Sequence, residues 1–212
     1  MVEGDFRMLN LRSSYIQNDF GRLIEEYVVA WQPSSLVELG VLDGFSTMHI
    51  ARGIKKLERL RGFVPKFDAY DLFEDYEFKH GKQQEVQKVL NDNGLSKYVN
   101  LAKGNAYEVY KNYDDSIMDA VRGVEFLHID ISNTGAVIRD LMELWHPKIG
   151  RKGLVLIEGG SEERDNIEWM KKYSMPSIKE EIKNNPIINE HYLYGTYFKF
   201  PSLTVLCKKW WY

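Results

Sequence analysis

The stretch LVELGVLDGFSTMHIARGI, residues 36–54, constrains this chain more than any other, because an apolar run, a glycine-bearing turn and an amphipathic segment follow without a break. Leu36, Val37 and Leu39 supply the buried side chains of a strand, and Gly40 and Gly44 free the turn from Cβ crowding. Ser46 or Thr47 is positioned to cap a helix that carries Met48, Ile50, Ala51 and Ile54. Strand, tight turn and helix in succession form the opening unit of an α/β domain, and a helix N-terminus at the end of a strand favours an anionic or nucleotide-like ligand there.

The same alternation runs through most of the chain. Leu23, Ile24, Tyr27, Val28 and Trp31 share one face of a helix over 19–31, with Asn18 or Asp19 as its cap and Pro33 beyond its end. The pattern then predicts strands at 36–40, 67–72, 99–103, 124–129 and 153–158, separated by helices at 46–61, 83–93, 105–112 and 135–146. Such alternation implies a parallel sheet covered by helices on both faces. The rhythm breaks at the end, where HYLYGTYFKF (191–200) and LTVLCKK (203–209) flank a Pro-Ser turn with no helix between them, so they should pair antiparallel. The expected fold is therefore an α/β, Rossmann-like doubly wound sheet, mostly parallel with a C-terminal antiparallel hairpin. We read a single domain over 1–212, with a helical cap (1–33), a ligand-binding core (34–160), an insertion or lid (161–190) and the hairpin (191–212).

Composition excludes several classes of function. With 44% apolar and 28% charged residues the chain is ordinary for a globular protein, and a net charge of −3 leaves no basic footprint for nucleic acid or a membrane surface. A small-molecule ligand is expected. The one cysteine, Cys207, lies in an apolar run and reads as a buried thiol, which suits a reducing compartment. The first residues lack an apolar signal core, and no segment reaches the roughly 20 apolar residues of a membrane span, so a cytoplasmic location is expected.

Glycine spacing separates the ligand classes. A dinucleotide turn needs GxGxxG and a phosphate loop needs GxxxxGK followed by Ser or Thr, whereas this chain offers Gly40 and Gly44 with Val41, Leu42 and Asp43 between them. The segment ELGVLDGFST instead resembles the first motif of class I S-adenosylmethionine-dependent methyltransferases, written ExGxxxGxS. The resemblance covers about residues 30–160. It implies that Gly40 and Gly44 allow close approach to the cofactor, that Glu38 orients its amino-acid moiety, and that Ser46 bonds its carboxylate. Asp71, at the end of FDAYDLF, fits the family's ribose-binding acid, with Asp68 as the substitute. Asn105 and Ala106 in KGNAYE match the segment that meets the adenine edge. Asp130, at the exit of FLHIDIS, matches the position beside the transferred methyl group.

Asp130 is therefore the first candidate for the base or acceptor-holding residue, and Glu158, at the end of the fifth strand, is the second carboxylate of the crevice. Two acids at adjacent strand ends raise the question of a divalent cation such as Mg, as in the metal-assisted O-methyltransferases of the macrocin type. That branch usually has a histidine soon after the aspartate and an aspartate after the fifth strand. Here Ile131, Ser132 and Asn133, then Gly159 and Gly160, occupy those positions, so the ligand count weighs against a metal. The Asn/Asp-Pro-Pro-aromatic signature of nitrogen-methylating enzymes is also missing after the fourth strand, which turns the expectation toward the hydroxyl of a small metabolite. A nicotinamide oxidoreductase and a non-catalytic cofactor-binding or interaction protein, with homo-oligomerisation open, are the rival readings.

The remaining polar residues read as structural. His128 alternates with apolar residues in a strand and is expected to be a core histidine satisfied by a neighbour, while His80 and His146 sit where solvated or capping histidines are common. The run EERDNIEWMKK (162–172) reads as a solvated face, and Trp210, Trp211 and Tyr212 as a cluster that must bury somewhere or mark a contact surface.

Overall fold

Period-two alternation sorts the side chains of three adjacent strands onto two faces, and that sorting builds both the core and the site. The structure is a computed structural model that describes residues 11–114, 123–132, 134–165, 168–172 and 174–209; Trp210, Trp211 and Tyr212 lie outside the described residues. Five strands run parallel: β1 (Ser35–Leu39), β2 (Lys66–Asp71), β3 (Asn100–Lys103), β4 (Val124–Ile129) and β5 (Ile149–Glu158). The hairpin of β6 (Tyr192–Tyr197) and β7 (Leu203–Lys208) adds antiparallel to β5, giving the order β3-β2-β1-β4-β5-β7-β6.

On one face Leu36, Phe67, Phe126, Leu154 and Leu156 pack beneath helices α1 (Phe20–Trp31), α2 (Phe45–Arg61) and α3 (Gln83–Asp92). On the other, Val37, Leu39, Leu127, Ile129, Val155 and Ile157 meet α4 (Gly135–Trp145). Beyond the short helices α5 (Glu162–Asp165) and α6 (Glu168–Lys172), helices α7 (Ile178–Asn184) and α8 (Pro186–His191) add Ile178, Ile182 and Ile188 to that second layer. The expected doubly wound sheet with its C-terminal hairpin is the observed fold. Among the described residues no helix is long and apolar enough to cross a membrane.

Three local readings change. The segment 105–112 forms a turn and a short 3-10 helix, Val109–Asn112, in place of an α-helix. Its backbone groups are drawn elsewhere: the Ala106 carbonyl accepts from Trp145 Nε1, and the Tyr107 N–H donates to the Asn105 side-chain Oδ1. Gly44, in the left-handed region with φ of 84°, is the N-cap of α2, so neither Ser46 nor Thr47 caps it. Cys207 is only partly buried, and desolvation holds its thiol above the ordinary range.

The α1–α2 contact carries a buried charge. Glu25 lies between the two helices, 3.2 Å from His49 Nδ1, 2.6 Å from Lys56 Nζ and 3.3 Å from Arg52 Nε. Burial alone would raise its pKa, but the bonds from His49 and Lys56 and the charges of Arg52 and Lys56 outweigh burial and hold it at about 2. Because the folded value lies below the ordinary 4.5, this acid adds stability above that pH and the gain is lost as pH falls toward about 2. Thermal melts should show wild-type stability falling through that window. Glu25→Gln should be less stable at neutral pH and flatter across it, and a parallel fall in both proteins would refute the assignment.

Candidate active site

Strand order reverses between β1 and β4, since the chain winds from β1 out to β3 and then returns to β4 on the other side of β1. In such sheets the crevice at the carboxyl ends of the two diverging strands binds ligands. Here Gly40 follows β1 and Asp130 follows β4. Gly40 N bonds Tyr70 O at 2.9 Å, and Asp130 N bonds Leu39 O at 2.8 Å. Gly40 has φ of 94°, and a Cβ placed on it would lie 2.2 Å from Asp130 O, so both its backbone conformation and its neighbour demand glycine.

A cavity of about 440 Å³ opens above this junction, within the size range of small-ligand sites. Gly40, Asp71, Asn105, Ala106 and Asp130 all line it, so residues from four strand ends that sequence reading selected separately share one space. The Asp71 carboxylate braces the first turn: Oδ2 accepts from Val41 N (2.7 Å) and Leu42 N (2.9 Å), and Oδ1 accepts from Phe73 N (2.8 Å). Asp68 lines no part of this cavity; it is bonded to Asn100 Nδ2 at 2.8 Å, Tyr113 OH at 2.7 Å and Lys66 Nζ at 2.9 Å.

A second cavity, about 200 Å³, adjoins the first through Gly40, Leu42, Lys79 and Asp130. Ser46, Glu158 and Arg164 line it, and the segment Arg12–Ser14 closes one side. Arg12 is anchored by Asp43, with Nε to Oδ2 at 2.7 Å and Nη2 to Oδ1 at 2.6 Å, and it also donates to His80 O at 2.8 Å.

Asp130 and Glu158 line the same small cavity, and their interacting carboxyls respond in opposite ways. Desolvation, then the Glu158 charge, pushes the Asp130 carboxyl well above the usual carboxylate range. Burial would raise Glu158 as well, but the bond from Asp130, the Arg164 charge and the Ser14 hydroxyl overcome it and hold Glu158 below its ordinary value. Ser14 Oγ donates to Glu158 Oε1 at 2.8 Å, and Arg164 Nη2 lies 3.5 Å from the same oxygen. The two carboxyls are thus pushed in opposite directions, Asp130 up and Glu158 down.

Glu38 lines neither cavity. It lies in register with His128 across β1 and β4, on the same face, and both are wholly buried. Its Oε1 is 3.0 Å from His128 Nδ1, and its Oε2 accepts from Thr47 Oγ1 at 2.5 Å; His128 Nε2 is 2.9 Å from Tyr15 OH. His128 is therefore a satisfied core histidine beneath the site. Gly44, with φ of 84°, also lines neither cavity, and a Cβ there would meet Val86 Cγ1 of α3 at 2.8 Å.

Sequence reading missed Arg12, Ser14, Tyr15 and Arg164. The first three precede any periodic pattern. Arg164 sits in a run expected to be solvated, yet its side chain is only 12% exposed and packs over Phe200, its Cζ 5.8 Å from the ring centre. No spacing could have signalled it, because its partners are Glu158 on the preceding strand and a ring in the C-terminal hairpin.

Among the described residues no group of three His, Cys, Asp or Glu side chains is arranged to hold a metal ion. Glu158 already faces the Arg164 guanidinium and the Ser14 hydroxyl, a setting that suits a paired carboxylate better than a cation ligand. Replacement of Gly40 by Ala should cost about 2 kcal/mol or more in denaturant unfolding, since it combines backbone strain with a steric clash; a loss below about 0.5 kcal/mol, the usual size for an unremarkable surface change, would show that the two strand ends are not locked together.

The model of the methyltransferase domain family matches residues 37–158. No curated protein matches the chain. Among solved structures, a methyltransferase from Geobacter sulfurreducens is 15% identical, with a TM-score of 0.63 over 91% of this chain and 79% of that one. The O-methyltransferase TomG from Streptomyces achromogenes, solved with SAM, is 12% identical, with a TM-score of 0.64 over 96% and 84%. An O-methyltransferase from Bacillus cereus, solved with SAH, is 15% identical, with a TM-score of 0.62 over 94% and 85%. At these identities the likeness is one of fold.

Proposed function

Because the chain belongs to the methyltransferase domain family, we propose that it transfers the methyl group of S-adenosylmethionine to a hydroxyl of a small metabolite. The observation that carries this reading is the pair of joined cavities at the β1–β4 junction, the larger lined by Asp71, Asn105 and Ala106 and the smaller by Ser46, Asp130, Glu158 and Arg164. Their linings suit a ligand with a nucleoside part and a charged tail. When bound, the cofactor supplies an electrophilic methyl carbon on a sulfonium. Asp71 would hold the ribose, Asn105 and the Ala106 N–H the adenine edge, and Ser46, in the first turn of α2, the amino-acid end. TomG and the Bacillus cereus enzyme, which share the fold, are O-methyltransferases solved with SAM and SAH, and this supports an oxygen acceptor. The acidic balance and single cysteine support a small substrate and a cytoplasmic setting.

The chain's own chemistry is proton removal. Glu158, held below its ordinary 4.5, accepts the acceptor's hydroxyl proton, and Asp130, whose carboxyl is raised, keeps the negative charge on its partner. The buried Glu38–His128–Tyr15 chain lies directly behind this pair and fixes the segment that presents Ser14. The base is thus pre-organised before substrate arrives.

Calorimetry with S-adenosylhomocysteine tests the reading. Wild type should bind it, and Asp71→Ala should bind about 10- to 100-fold more weakly, the effect of losing charged hydrogen bonds; no binding by wild type would remove the methyltransferase assignment. Glu158→Gln should still bind the same ligand and lose turnover. Asp130→Ala removes the partner that helps hold Glu158 low, so the acid limb of the pH–rate profile should move to higher pH; an unmoved limb would separate Asp130 from the base.

A further inference from the structure

Arg164 leaves a donor unused in a place where an unused donor is costly. Its Nε is buried and has no hydrogen-bond partner among the described residues, while Nη2 makes only the long 3.5 Å approach to Glu158 Oε1. A guanidinium N–H withdrawn from water without an acceptor is unfavourable unless something else completes it. The other arginine at this cavity, Arg12, is by contrast fully engaged with Asp43 and His80 O. Arg164 lines the small cavity together with Ser46, and its planar fork matches the two oxygens of a carboxylate.

We infer that Arg164 is a carboxylate-binding residue, and that the group completing its fork is the α-carboxylate of the bound cofactor. This rests on the methyltransferase reading above. Two features favour this source over an acid group on the methyl acceptor. Arg164 shares its cavity with Ser46 and the start of α2, a 17-residue helix whose positive N-terminal end favours the same anion. That cavity is also continuous with the larger one through Gly40 and Leu42, so one extended ligand can fill both. The Phe200 ring lies 5.8 Å from the guanidinium carbon.

The test uses two ligands that differ at the amino-acid end: S-adenosylhomocysteine, which carries the carboxylate, and 5′-methylthioadenosine, which lacks it. In calorimetry Arg164→Met should bind S-adenosylhomocysteine about 10- to 100-fold more weakly than wild type does, the loss expected for one charged pair, and should bind 5′-methylthioadenosine as wild type does. Arg164→Lys should recover only part of the loss, since an ammonium keeps the charge but not the fork. Equal weakening of both ligands would mean that Arg164 only supports the fold of the cavity, and would overturn the inference. If S-adenosylhomocysteine binding is unchanged, the cofactor source is refuted, and lactate and glucuronate titrated into the S-adenosylhomocysteine complexes of wild type and variant then decide whether the carboxylate comes from the acceptor. No difference there refutes carboxylate binding altogether. Failure of wild type to bind either nucleoside would instead remove the methyltransferase reading on which the inference stands.

Discussion

The architecture depends on the close approach of two strand ends, where Gly40 leaves β1 and Asp130 leaves β4. A Cβ on Gly40 would lie 2.2 Å from Asp130 O, so the two segments touch backbone to backbone. From that contact the sheet opens in both directions. Asp71, on the next strand, braces the Gly40 turn through Val41 N and Leu42 N, and Glu158, on the strand beyond Asp130, meets the Asp130 carboxyl. Widening this junction would loosen the turn, separate the acid pair and merge the two cavities with solvent.

The polar groups around that junction form two layers with different solutions to the same electrostatic problem. In the lower layer Glu38 is wholly buried and satisfied by Thr47 and His128, and His128 is in turn bonded to Tyr15, so the layer is closed. Burial is tolerable there because the side chains on the path have partners. The upper layer is incomplete. Asp130 and Glu158 are pushed in opposite directions, and Arg164 retains a donor with no acceptor among the described residues. A closed network rigidifies and an open one waits for a ligand, which is how a fold supplies both pre-organisation and an unfilled binding demand.

The legibility of the chain follows the range of the interactions. Strands and helices from residue 19 to 158 could be read because burial of alternate or every third to fourth side chain is a local signal. The segment 105–112 escaped, because its helical pattern was overridden by a tryptophan 39 positions away that takes the Ala106 carbonyl. Asp71, Asn105, Ala106 and Asp130 could be nominated one by one from their positions at strand ends. That Glu38 turns inward to His128 could not be read, since the pairing depends on the register of β1 against β4, 90 residues apart in sequence. Arg164 looked like one charge in a solvated run, and only its packing on Phe200 and approach to Glu158 remove it from water.

The sequence by itself determined the strand–turn–helix opening, the alternation that makes the sheet parallel and the hairpin that ends it, because each is written in neighbouring residues. Tertiary structure alone decided which carboxyl is raised and which lowered, and which arginine is left with a donor to spare. The physical reason is that ionisation and hydrogen-bond satisfaction depend on desolvation and on charges within a few ångströms, and here those neighbours come from β1, β4, β5, the segment before α1 and the C-terminal hairpin, brought together only when the sheet closes on its switch point.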